Sequence, residues 1–90
     1  MPKIDKRKVL ESIDEYNRYR APESIAELMK VKGNIIIVKF KGSKLHCTCS
    51  LFDWLDDLTY ILSDKLKRKV ELIGFTEGED CYTARYHVYS

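Results

Sequence analysis

Lys32-Gly33-Asn34-Ile35-Ile36-Ile37-Val38-Lys39-Phe40-Lys41-Gly42 is the stretch on which the fold turns. Ile35 to Val38 are β-branched without interruption, and such side chains favour a pleated backbone because branching at Cβ restricts χ1. Lys32-Gly33-Asn34 in front of them supplies a hairpin turn. Ile25–Val31 then reads as the partner strand, although Ala26, Glu27, Leu28 and Met29 are all tolerated in a helix. Alternation along the second strand puts Ile36, Val38 and Phe40 on one face, with Ile35, Ile37, Lys39 and Lys41 on the other.

Upstream, Val9, Leu10, Ile13 and Tyr16 recur at the spacing of one helical face between Asp5 and about Tyr19. Asp5 is a suitable N-cap, and Pro22 ends the helix because proline disfavours helical geometry in the residue before it. Downstream, Ser50 followed by Asp53 makes a helix start close to a capping box. Leu51, Trp54, Leu55, Leu58, Ile61, Leu62 and Leu66 then repeat every three to four residues, and Lys65, Lys67, Arg68 and Lys69 complement the macrodipole at the far end. Val70–Thr76 and Cys81–Tyr89 read as a closing hairpin around Glu77-Gly78-Glu79-Asp80. Its last strand turns Tyr82, Ala84, Tyr86 and Val88 toward the helices, leaving Cys81, Thr83, Arg85, His87 and Tyr89 facing away. The order helix-strand-strand-helix-strand-strand implies an α+β fold, with an antiparallel or mixed sheet and both helices packed on one face. Trp54, Leu55, Leu58, Ile61 and Leu62 should form the core against Ile36, Val38 and Phe40.

Ninety residues make a single domain spanning 1–90. No apolar run approaches the roughly 18 residues needed to cross a bilayer. Met1-Pro2-Lys3-Ile4-Asp5 lacks the apolar core of a signal peptide, so the expected setting is cytoplasmic, with no membrane partner. Sixteen basic and 14 acidic residues leave a formal charge of +2, not the excess that alone would argue for nucleic acid. Gln is absent and Asn occurs only at positions 17 and 34 while Lys and Glu abound, a bias of thermophile proteins. Three cysteines in such a chain favour free thiols or metal ligands over a disulfide framework.

His46-Cys47-Thr48-Cys49 places an imidazole and two thiols in a loop that opens into the second helix. Soft thiolates suit an iron-sulfur cluster or zinc, an imidazole can replace a thiolate in either, and a helix start lowers the thiol pKa of Cys49. His46, Cys47 and Cys49 are the candidate metal ligands, with Cys47 and Cys49 the cluster-holding pair. One chain supplies too few of them there, so a closed site needs Cys81, His87 or a second chain, the last of which a homodimer would provide. Cys81 and His87 share a strand face but stand about 20 Å apart at ~3.3 Å per residue, so they cannot ligate one ion together. The bland alternative is two ordinary loop thiols with no metal bound. Asp53, Asp56 and Asp57 fit the favourable end of a helix dipole better than a catalytic role. A thiol enzyme would need Cys49 with His46 and Asp53, and no phosphate-binding Gly loop or other catalytic motif accompanies them. The chain reads as a non-enzymatic module. An alternative function, nucleic-acid (RNA) binding, rests on Tyr16, Arg18, Tyr19 and Arg20, which interleave aromatic rings with guanidinium groups. Lys39, Lys41 and Lys44, with Lys65 to Lys69, would add phosphate contacts.

Glu27, Leu28, Val31, Gly33, Ile35, Val38, Phe40 and Gly42, followed by the cysteine loop and a long helix, resemble the C-terminal domain of the NifU-type iron-sulfur scaffold proteins over roughly Val9 to Phe75. That resemblance implies the same scaffold, a role in handling a cluster or metal, and a cluster shared across a dimer for transfer to an apo-protein acceptor. The family's Cys-x-x-Cys is replaced here by His46-Cys47-Thr48-Cys49 in a loop about two residues longer. Cys49 would take the second ligand position, and His46 or Cys47 the first. The fourth strand, with Cys81, lies outside the resemblance and is free either to cover a sheet edge or to block the family's dimer contact.

Overall fold

A computed structural model describes residues 4–20, 24–41, 48–79 and 81–89, with residues 48–54 described by their backbone. Its elements are α1 (Lys6–Arg20), β1 (Ile25–Lys32), β2 (Ile35–Lys41), α2 (Thr48–Leu66), β3 (Val70–Glu77) and β4 (Tyr82–Val88). The fold is α+β in the expected element order. Asp5 caps α1 through its Oδ1, which accepts the Arg7 backbone N–H at 3.0 Å. Gly33 turns the first hairpin with φ +58°, a conformation that costs glycine nothing. α2 begins at Thr48, two residues ahead of the expected Ser50 cap, so Ser50 lies within the helix. Its C-terminus closes as a Schellman turn, with Lys67 at φ 55° and the Arg68 N–H donating to the Ser63 carbonyl at 3.4 Å.

The four strands form one antiparallel sheet in the order β1-β2-β4-β3. The connection from β2 through α2 to β3 leaves a gap one strand wide, and β4 fills it by pairing with both neighbours. Phe40 faces Tyr82, Val38 faces Ala84 and Ile36 faces Tyr86. The fourth strand is thus interior and covers no sheet edge, a correction to one of the options its sequence position left open. The two edge strands each carry a bulge, between Leu28 and Lys30 in β1 and between Leu72 and Gly74 in β3. Bulges at edges discourage pairing with further strands.

Both helices pack on one face of this sheet. Val9 and Tyr16 of α1, Leu55, Leu58 and Leu62 of α2, and Ile36, Val38, Phe40, Ala84, Tyr86 and Val88 of the central strands are wholly excluded from solvent. Ile61 packs at the margin, while the Trp54 side chain lies outside the described residues. The Tyr16 ring meets Phe40 edge to face, 5.4 Å between centroids. Leu10 departs from expectation. It is 49% exposed because the buried face of α1 is centred on Val9, Ser12, Ile13 and Tyr16, about 100° around the axis from it. Among the described residues, no helix is long and apolar enough to cross a membrane.

Candidate functional site

The cysteine loop is only partly within view. His46 and Cys47 lie outside the described residues, as does the Cys49 side chain. The backbone of Cys49 stands in the first turn of α2, among the N–H groups that a helix leaves unpaired. Among the described residues no three His, Cys, Asp or Glu side chains come together as a metal site. Cys81 is a free, half-buried thiol just ahead of β4, tucked so tightly against the turn that a Cβ on Gly78 would sit 3.1 Å from its Sγ. His87 lies near the other end of the same strand, opposite Ile35 and Glu71.

The Tyr16–Arg20 segment is the last turn of α1, and most of it is committed to packing. Tyr16 is buried with its phenol hydrogen-bonded to the Ser24 hydroxyl at 2.8 Å, and burial pushes its pKa up to about 12. It offers no ring face to a nucleic-acid base, which corrects the expectation that it stacks. Arg20 is ion-paired with Asp57, as a structural role for that acid requires. Arg18 and Tyr19 remain exposed, Tyr19 at 75%. Tyr19 and Tyr60 border a shallow groove of about 260 Å³ between the helices, on the layer opposite the sheet lysines. The aromatic segment and the Lys39–Lys41 row therefore do not form one interface. Lys65 and Lys67 are likewise engaged, with Glu15 at 3.6 Å and Asp64 at 3.9 Å.

The helix-free face of the sheet is the second candidate surface. Strand register aligns Lys32, Ile35, His87 and Glu71 in one row, Lys30, Ile37, Arg85 and Gly74 in the next, and Glu27, Lys39, Thr83 and Thr76 in a third. Ile25 and Lys41 begin a fourth row. Lys30 and Lys32 reach this face only because of the β1 bulge. Strict alternation from Ala26 and Leu28 would bury them and expose Val31, and the extra residue at Met29 reverses the phase. That conflict between period and polarity was the available signal for two cations that sequence reasoning missed. Arg85 crosses toward β3, donating to the Thr76 hydroxyl at 3.3 Å, and the missing side chain of Gly74 makes room, since a Cβ there would sit 3.1 Å from its Nη2.

Charge on this face is unevenly shared. It holds Lys30, Lys32, Lys39, Lys41 and Arg85 against Glu27 and Glu71, five of the chain's 16 basic residues and two of its 14 acidic ones. The face alone is formally +3 while the remainder of the chain sums to −1. Among the described residues, the ion pairs lie in the helical layer, and none of these four lysines has a carboxylate within 4.0 Å. Searches of protein-family models, curated proteins and solved structures return no match to this chain, so the NifU resemblance rests on the residues that carry it.

Proposed function

We propose that this chain is a nucleic-acid-binding module that uses the open face of its sheet. One observation carries the reading: the one sheet face that no helix covers holds five cations against two acids, and among the described residues none of its four lysines pairs with a carboxylate. Unpaired ammonium groups lose nothing internal when they meet phosphates, and they release counterions from the ligand on doing so. Half-buried Ile35 and Ile37 lie between the cations and give bases an apolar floor.

Anisotropy titrations of labelled ten-nucleotide strands across a salt series test this. Three to five phosphate contacts predict a slope of about −2 to −3.5 in log K against log salt for a single strand. Lys39→Ser and Lys41→Ser should each weaken binding and flatten the slope by about 0.7. Arg18→Ala, on the helical layer, should do neither. Loss of binding through Arg18 with no effect at Lys39 and Lys41 refutes the assignment to the sheet.

Placement of Cys49 in the first turn of α2 favours a second reading, a module that handles iron or zinc through His46, Cys47 and Cys49. Anaerobic reconstitution should then load metal in proportion to dimer, Cys49→Ser should abolish loading, and Cys81→Ser should leave it unchanged. A monomer that takes up neither metal ends that reading and leaves the fold untouched.

A further inference from the structure

We propose that the open face takes a single strand and that Tyr89 stacks against one of its bases; the inference rests on the nucleic-acid reading above. Tyr89 directly follows β4 and is fixed by several contacts. Its N–H donates to the Lys69 carbonyl at 2.8 Å, its own carbonyl accepts from Arg68 Nε at 2.9 Å, and its phenol donates to Glu71 Oε2 at 3.3 Å. The His87 ring abuts it, 4.4 Å between centroids at 75°. Tyr89 as a whole is nevertheless 37% exposed, so a base meets an aromatic residue already held in place. An ordered ring spends no conformational entropy on binding.

The Lys69 ammonium lies 5.3 Å from the ring centroid. It is the group a base would displace, and its long stem lets it swing onto the adjoining phosphate. An exposed cation–π contact is weaker than base–aromatic stacking, so the exchange is favourable. From this corner the row His87, Ile35, Lys32 leads two strands across, about 10 Å at the usual strand spacing, from an aromatic end over an apolar centre to an unpaired cation. Glu71, on the opposite side of His87, repels phosphate and directs the strand toward β1. A duplex hides its base faces and would leave Tyr89, Ile35 and Ile37 without a role.

The probes are oligo-dU and oligo-rU ten-mers, a blunt duplex of equal length, and inorganic polyphosphate. Both single strands should bind more tightly than the duplex, with the stronger of the two identifying the preferred sugar. Tyr89→Leu should weaken single-strand binding about five- to tenfold while leaving the salt slope and polyphosphate binding unchanged, and Tyr89→Phe should retain most of the affinity. Circular dichroism melts establish that each variant is folded. Single-strand binding unaffected by Tyr89→Leu, or duplex and polyphosphate bound as tightly as single strands, overturns this inference while the sheet-face reading survives. Absence of any oligonucleotide binding overturns both.

Discussion

At the scale of single residues, Asn17 shows how little of a protein's wiring is written in its periodicity. Its carboxamide accepts the Ala26 N–H at 2.7 Å and donates to the Ala26 carbonyl at 3.0 Å, so one side chain meets both main-chain groups of a residue on edge strand β1. The asparagine thus substitutes for a further strand at that position and ties α1 to the sheet. Asn17→Ala should lower stability by about 1 to 3 kcal/mol, since two partly buried peptide groups lose their partner. Urea unfolding measures this, and an unchanged midpoint would show that water serves Ala26 equally well. In the sequence Asn17 stood out only by the rarity of asparagine. Its partner is nine residues away across a turn, and nothing local announces it. Asp5 was readable because a cap acts within its own turn. Tyr16 carried two readings in the sequence, one as part of the apolar face of α1 and one as a stacking ring beside arginines, and its burial upholds the first.

Element identity was legible because hydrophobic period reports which backbone a segment prefers. The β-branched run of β2, the three-to-four spacing of α2 and the alternation of β4 each named their element. Spatial order was not legible, because no local pattern says that β4 slides between β2 and β3. Phase within an element was readable only up to the first bulge. β1 loses its alternation at Met29, and the open-face lysines were therefore undercounted. α2 offers the sharpest test of phase. Leu55, Leu58 and Leu62 are fully buried, as their spacing requires, and Leu58 lies at the middle of that stripe. Leu58→Ala should cost about 2 to 5 kcal/mol in thermal or denaturant unfolding, for the lost transfer energy and the cavity left behind. A melting temperature equal to the parent's would mean that the stripe faces another way.

For the whole molecule, two buried phenols join the helical layer to its surroundings and set how the fold meets alkali. Tyr86 of β4 donates to the Leu55 carbonyl of α2 at 2.6 Å, and Tyr16 of α1 bonds Ser24 just before β1. Burial raises both pKa values, Tyr16 to about 12 from an ordinary 10.0, with Tyr86 pushed up further. A raised folded-state pKa favours the protonated form. Its contribution to stability is fully present below pH 10, where both states hold the proton. Above pH 10 the unfolded chain releases protons that the native chain retains, so stability falls by about 1.4 kcal/mol per pH unit for each such tyrosine until the folded pKa is reached. The chain should therefore lose helical circular dichroism between about pH 10 and 12. Tyrosinate absorbance from the six tyrosines should rise in two stages, the later one coinciding with that unfolding. Tyr86→Phe removes one such titration and shifts the alkaline transition upward relative to its own stability at pH 7, even if the lost hydrogen bond to Leu55 lowers that stability. Absorbance rising in a single stage with the helical signal intact would mean that solvent reaches both phenols, and that the core between sheet and helices is open.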